Sequence, residues 1–411
     1  QYDEPIAEGG FLELNFILED NPREKARIGI TRAHLEEDTA KLTHGSNGNT
    51  LVDFNRAGTP LVEIVTDPDF QTALEAKMFC QELRTILRYL DVSDADMEKG
   101  HMRCEANISM QETDKFEIVK GVVKPIGDYK LNNKVEVKNI NSFKAVEKAI
   151  EYEIKRQTEL LEKKETWPQQ TRGWDENKNA TVLQRIKENS ADYRYFPEPD
   201  IPPFHPMDAA KNISLPELPQ AKRDRFHNEY GFSYSDAKLL TQSKHWAAFA
   251  ENVMSESVAW LQTMQEDKKN QFARLVGGWL TSKLMGAMTE RAIDIRILKL
   301  SPENFAELLA LIYTNKVNSS NAQKILIEML ESGTNKDPTH IMEEKGYGQI
   351  SDEKKINKVI DEVIKSYPKQ VAEYKSGKEV VLRFLIGMIM KATEGSADPV
   401  VAEKLLKEKM L

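Results

Sequence analysis

The chain changes its pattern of apolar and polar positions about half-way along. From Gly10 to Asn141 apolar residues recur with period 2, the spacing of half-buried strands. In Arg27–Glu37, Ile28 and Ile30 lead on one face into Arg32, His34 and Glu36, while Gly29, Thr31, Ala33, Leu35 and Glu37 take the other. A strand whose apolar half gives way to charge near His34 is expected to leave the core there, its end facing a cleft. Met102–Met110 alternates without a break, placing Met102, Cys104, Ala106, Ile108 and Met110 on one face and Arg103, Glu105, Asn107 and Ser109 on the other. Further on, Val135 and Val137 point inward and Lys134, Glu136 and Lys138 outward, before Asn139–Asn141 turn the chain and Ser142 caps a helix.

Two helices interrupt the strands. The first runs from Thr72 to Leu90, where Thr72 and Glu75 spell a capping box and Leu74, Met78, Leu83, Ile86, Leu87 and Leu90 form an apolar stripe. The second runs from Phe143 to Glu162; its Lys144, Lys148, Lys155 and Arg156 are interleaved with Glu147, Glu151 and Glu153, the composition of a solvated surface. From about Leu215 the strand signals stop. Helices are expected over 218–230, 235–241, 245–262, 268–284 and 302–312, then over 338–344, 352–366, 367–374, 378–393 and 399–410, with Gly346, Gly348, Gly377 and Gly395 in the turns. The fold class is therefore α+β: a strand-rich domain over 1–214, a helical domain over 215–334 and a small helical tail over 335–411.

Composition narrows the function classes. The chain of 411 residues is long enough to bury several cores. Its longest apolar run, VVLRFLIGMIM, is broken by Arg383 and falls short of the ~20 residues of a membrane span. Two cysteines make neither a disulfide framework nor a cysteine-only zinc site; Cys80 in the first helix and Cys104 on the apolar face of its strand are expected to be buried thiols. A net charge of -9 argues against indiscriminate nucleic-acid binding and leaves room for a local basic patch. The chain opens on Gln1, so further residues are expected before it, and no targeting peptide is judged from such a start.

The candidate chemistry lies in charges set among strands. Glu36 and Glu37 offer hard oxygens, and magnesium with phosphate ligands needs only one or two carboxylates; the same Glu-Glu-Asp triplet also suits a solvated acidic turn. In NRAGTP, Asn55–Pro60, Gly58 permits close backbone approach and Arg56 offers a planar fork to phosphate or carboxylate. Glu63, between Val62 and Ile64, is either on a wet face or paired. The polar faces of these strands line a basin, or they are the solvated side of an antiparallel sheet, and period 2 does not separate the two. In Thr171–Pro203 aromatics, arginines and acids interleave, and prolines at 197, 199, 202 and 203 hold the chain extended. There Arg172, Arg185, Lys187, Tyr193 and Arg194 can meet a nucleic-acid end by phosphate contact and stacking, or the segment is a strap closing the first domain. Lys375, Lys378, Arg383 and Lys391 form a basic edge in the tail, diluted by glutamates. No GxxxxGK loop occurs, so a nucleotide would be held by another geometry.

Five segments in fixed order, HLEEDTAKLTH, LVDFNRAGTPLVEIVTDPD, MRCEANIS, VEVKNINSF and DYRYFPEPDIPP, resemble the B subunits of aspartyl/glutamyl-tRNA amidotransferases over essentially the whole chain. The resemblance implies a cradle domain, a helical domain and a tRNA-contacting tail. It implies partnership with an amidase A subunit and a small C subunit. The amidase would release ammonia from glutamine; ATP, with Mg2+, would activate the Glu or Asp wrongly attached to tRNA(Gln) or tRNA(Asn), and ammonia would displace phosphate. By position, the metal carboxylate falls in the Glu36–Glu37 pair, with Glu37 as the first ligand. Arg56, Glu63, Arg103, Glu105, Asn107, Glu136 and Lys138 would complete the catalytic wall, Arg32, His34, Arg56 and Lys138 would hold ATP, and Arg172, Arg185, Tyr193, Arg194, Lys375 and Lys378 would hold tRNA. A cytoplasmic protein without membrane attachment is expected. Two departures stand out. The family's N-terminal segment, with its Gly-Leu-Glu-Val-His strand and frequent cysteine cluster, is not in this sequence, so the chain is expected not to complete the site alone, and zinc is possible only through that segment. Gln111–Asn133 is longer than the usual turn and is expected to be a surface insertion. The alternatives are a non-catalytic tRNA-binding scaffold, or an ATP-dependent carboxylate-amine ligase acting on another substrate; whether Glu-tRNA(Gln), Asp-tRNA(Asn) or both are substrates stays open.

Overall fold

The computed structural model describes residues 4–119, 122–186, 202–203, 205–261, 265–348, 353–393 and 395–410. The chain divides between Pro216 and Glu217 into two units. The first contains β1 (Ala7–Asn15), β2 (Lys25–Glu37), the hairpin of β3 (Lys41–His44) and β4 (Thr50–Asp53), β5 (Pro60–Thr66), α1 (Ala73–Tyr89) and β6 (Cys104–Ile108). The hairpin of β7 (Phe116–Val119) and β8 (Val122–Pro125) follows, then β9 (Val135–Ile140), α2 (Phe143–Glu162), β10 (Gln170–Asp175), β11 (Ala180–Ile186) and a short α3 (Pro206–Ala210). The strands form a three-stranded sheet of order β1-β2-β5 and a four-stranded sheet of order β11-β10-β9-β6. Among the described residues only β9 and β10 pair in parallel within these sheets, and α2 supplies the crossover such a pair requires.

Each sheet buries the face that its alternation marks. Leu12, Leu14, Phe16, Ala26 and Ile28 pack with Phe79 of α1 in one core; Ile108, Val135, Val137 and Ile140 pack with Ala145, Val146 and Ala149 of α2, Trp167 and Trp174 in the other. Gly29 is required where the chain after β5 folds back. A Cβ there would run into the Asp67 carboxylate, and the Gly29 N–H donates to Asp69 Oδ2 at 2.8 Å.

Helix α1 departs from its expected stripe. Leu74, Met78, Leu83, Ile86, Leu87 and Leu90 are only half-buried, whereas Phe79, Tyr89, Thr85 and Glu75 are buried. The helix is packed on two sides, Ala76 against the core of the four-stranded sheet and Met78, Leu83 and Ile86 against the other, so a single stripe does not describe it. The capping box forms by half. Thr72 Oγ1 accepts the Glu75 N–H at 3.2 Å, but the fully buried Glu75 carboxylate takes Arg23 Nε at 2.7 Å and Nη2 at 2.8 Å, with the Gln71 N–H at 2.7 Å. A bidentate guanidinium is a stronger partner than one backbone amide.

The second unit is helical: α4 (Pro219–Asn228), α5 (Tyr234–Leu240), α6 (Lys244–Leu261), α7 (Glu266–Gly278), a π-helical turn over Trp279–Leu284 running into α8 (Met285–Glu290), α9 (Pro302–Tyr313), α10 (Ser319–Glu331), α11 (Pro338–Lys345), α12 (Glu353–Ser366), α13 (Pro368–Lys375), α14 (Val380–Ala392) and α15 (Pro399–Met410). Helix α10 was not among the expected elements, although Asn318 caps it and Ile325, Leu326, Met329 and Leu330 are buried along it. Among its described residues the unit has two cores. Ile341 of α11 joins the first, and the second gathers residues from Ile356 to Met410, so the stretch at 335–345 that the sequence boundary gave to the tail packs with the preceding helices. Among the described residues no helix is long and apolar enough to cross a membrane.

Candidate functional site

The register of β2 on β5 pairs His34 with Glu63, Leu35 with Val62, Glu36 with Leu61 and Glu37 with Pro60. Alternation then places His34, Glu36 and Glu63 on one face and Glu37, exposed, on the other. His34 Nε2 lies 2.9 Å from Glu36 Oε1 and 3.9 Å from Glu63 Oε1; the imidazole is 2% exposed and the carboxylates 35% and 49%. One ligand atom from each of the three falls within 4.8 Å of the others. Two carboxylates converging on one imidazole nitrogen fit a divalent cation that keeps positions for water and phosphate oxygen. Sequence adjacency made Glu36 and Glu37 a pair. The strand separates them, and Glu36 finds its companions at His34 and Glu63 instead.

Beside this cluster the backbone of Asp38 is fixed by Thr59 and Gly58: the Asp38 N–H donates to Thr59 O at 2.8 Å, and the Gly58 N–H, at a residue with φ +78, donates to Asp38 O at 2.9 Å. Asp38 Oδ2 pairs with Arg56 Nε at 3.0 Å and accepts from Arg103 Nη2 at 2.9 Å. Arg56 Nη2 also donates to Gly100 O at 3.3 Å. One carboxylate oxygen thus holds two half-exposed guanidinium groups, and through Arg103 it joins the end of β2 to the approach to β6. Asp38, the third acid of the Glu-Glu-Asp triplet, has no role assigned from the sequence; its two guanidinium partners make it a candidate positioning residue.

The polar face of the four-stranded sheet is in register: Asn107 opposite Glu136, Glu136 opposite Thr171 and Thr171 opposite Arg185. Lys138 Nζ reaches Glu105 Oε1 at 3.0 Å and Glu136 Oε1 at 3.8 Å, and Thr171 Oγ1 donates to Glu136 Oε2 at 2.8 Å. Glu105, Asn107, Glu136, Lys138 and Arg185 therefore share one surface. Arg172 does not. It turns toward α2, where its Nε lies 3.2 Å from Glu153 Oε1 and 2.7 Å from Thr181 Oγ1, and burial lowers its guanidinium pKa. Glu153, fully buried, also accepts from Arg156 Nη2 at 2.7 Å, Gln157 Nε2 at 3.1 Å and Thr181 Oγ1 at 2.5 Å. Burial alone would raise the Glu153 pKa, but these donors outweigh it and hold the carboxyl below its ordinary value. Arg172 is thus a tie between sheet and helix, and its part in holding tRNA loses geometric support.

Arg32 lies half-buried on the His34 face of β2. Lys187, Tyr193 and Arg194 fall outside the described residues. Lys375, at the end of α13, and Lys378 are exposed, the latter 3.2 Å from Glu373.

Comparison with known proteins matches residues 1–211 to the family described as GatB/GatE catalytic domain and residues 260–410 to the one described as GatB domain. The B subunit of the aspartyl/glutamyl-tRNA(Asn/Gln) amidotransferase from Trichodesmium erythraeum is 40% identical over 420 residues, spanning all of this chain and 79% of the relative. Proteins of the same name from Geobacillus kaustophilus and Dehalococcoides mccartyi are 41% and 43% identical, each aligned over 80% of its length and over 100% and 99% of this chain.

Proposed function

The chain belongs to the family of aspartyl/glutamyl-tRNA(Asn/Gln) amidotransferase B subunits, and on that footing we propose that it activates and amidates a Glu or Asp misattached to tRNA(Gln) or tRNA(Asn). The substrate carboxylate attacks the γ-phosphorus of ATP, ADP leaves, and ammonia then attacks the acyl carbon as phosphate departs. An amidase partner supplies the ammonia, with a small third protein in the complex. Such chemistry needs charge neutralisation and positioning more than a protein nucleophile.

The observation that carries this reading is the convergence of His34, Glu36 and Glu63 at the strand end next to Arg56 and Arg103. His34, Glu36 and Glu63 would hold a divalent cation, which would supply charge neutralisation for phosphate when bound. Arg56 and Arg103 stand ready to leave Asp38 for phosphate oxygens, and Arg32 extends the same cationic wall. Glu105, Asn107, Glu136 and Lys138 present the polar floor of the second sheet. Arg185 at that floor and Lys375 and Lys378 in the tail provide phosphate contacts for tRNA.

The test is reconstitution of this chain with its amidase and small partners, supplied in turn with Glu-tRNA(Gln) and Asp-tRNA(Asn), while ATP, magnesium or the ammonia source is withheld. Amidation is expected only with all three; an equal rate without ATP overturns the reading. Removing residues 353–411, which hold the second helical core, should raise the KM for misacylated tRNA and flatten its salt dependence while leaving ATP binding intact.

A further inference from the structure

Cys80 and Cys104, the two cysteines of the chain, come together although 24 positions separate them. Their Sγ atoms lie 3.5 Å apart, within reach of an S–H···S hydrogen bond, and both thiols are free and half-buried. Cys80 sits on α1 beside Met78, Leu83 and Ile86, which pack on the core of the three-stranded sheet. Cys104 opens β6 and packs on the core of the four-stranded sheet. The sulfur pair is therefore at the seam between the two sheets. Cys104 also lies between Arg103, bound to Asp38, and Glu105, bound to Lys138.

We propose that Cys80 and Cys104 are a redox-active dithiol that a hydroperoxide converts to a disulfide, stapling α1 to β6 across that seam. Closing the pair shortens the sulfur separation from 3.5 Å to the ~2.05 Å of a disulfide, a small movement for two side chains. The order of events follows from the shared proton. The contact with Cys104 and burial push the Cys80 thiol up, whereas the same sulfur–sulfur contact lowers Cys104. Cys104 thus ionises first and is the nucleophile. Its thiolate attacks one oxygen of hydrogen peroxide; the O–O bond breaks, and the departing hydroxide takes the thiol's proton to become water, leaving a sulfenic acid on Cys104. Cys80 sulfur then attacks that sulfur, the S–S bond forms, and the sulfenic oxygen leaves as a second water with the Cys80 proton. Two electrons pass from the thiols to the peroxide, and a dithiol reductant returns them.

The experiment uses the full chain treated with hydrogen peroxide, denatured in a blocking reagent and mapped without reduction. The expected result is a peptide joining Cys80 to Cys104, loss of both free thiols, and recovery of both with dithiothreitol. Cys80→Ser should trap a sulfenic acid at Cys104 that reacts with dimedone, whereas Cys104→Ser should leave Cys80 unreactive at the same peroxide dose. Persistence of both thiols, independent over-oxidation of each, or cross-links only between chains would each overturn the proposal. None of these readouts depends on amidation, so they stand or fall apart from the function proposed above.

Discussion

Glu153 and Glu36 are both carboxylates set against strands of the first unit, yet their surroundings differ in kind. Glu153 is closed off on the buried face of α2 and compensated by Arg156, Arg172, Gln157 and Thr181, so its charge belongs to the architecture. Glu36 is about one-third exposed and shares a single imidazole nitrogen with a second carboxylate, Glu63. A buried charge with donors all round is finished; two acids meeting one histidine at a strand end leave room for a cation. Burial and partner identity, more than the presence of acid in a strand, separate a structural carboxylate from a functional one.

The largest test of that contrast is Glu153→Ala. It leaves Arg156 and Arg172 without their common partner in a low-dielectric site, and unfolding by urea should show a loss of about 3–5 kcal/mol. A loss within the scatter of surface substitutions would erase the distinction. Glu36→Gln and Glu63→Gln should do the reverse. Calorimetric titration of the full chain with Mn2+ or Mg2+ should show affinity down by at least ~10-fold, with stability unchanged to within roughly 0.5 kcal/mol.

Asp38→Asn sharpens the comparison at the border between the two cases, because Asp38 is mostly buried and yet grips two half-exposed arginines. Without Asp38 to position the two guanidinium groups for phosphate, the KM for ATP should rise by roughly fivefold, the scale of one partly exposed ion pair, with kcat less affected; unchanged KM in the reconstituted complex would confine Asp38 to folding. The smallest effect is expected in the second unit. Glu217 is held at about 2 by hydrogen bonds from Arg225 and, after the opposing cost of burial, from Lys222. Its folded pKa lies below its unfolded one, so its stabilisation is complete above the unfolded value and fades as pH falls toward about 2. With a third of the side chain exposed, Glu217→Gln should cost no more than about 1 kcal/mol at pH 7, and denaturation curves of variant and parent should converge in acid.

Much of the fold could be read directly. Val135 and Val137 are fully buried as their alternation requires, Ser142 caps α2 by accepting the Ala145 N–H, and the strand-rich half gives way to helices. The readings that failed did so where one element meets two others or where a side chain had a choice of partner. Helix α1 lies between two cores, and Glu75 preferred Arg23 to its own cap. The Gln111–Asn133 segment is not one of these failures: its described residues lie mostly at the surface, and it carries the β7–β8 hairpin with Ile118 exposed.

Which residues could face which way was legible from the chain alone, because period 2 and period 3.6 are properties of the local backbone. Alternation put His34 and Glu36 on one face of β2, and Glu105, Asn107 and the outward residues of β9 on polar faces. What those faces meet depends on how distant parts of the chain pack. The register of β5 on β2 brought Glu63 to His34 and left Glu37 outside; packing of α2 on the sheet turned Arg172 into a tie; the seam between two sheets brought Cys80 to Cys104. Each is a contact between distant parts of the chain, set by strand register and core packing, and no local periodicity encodes it.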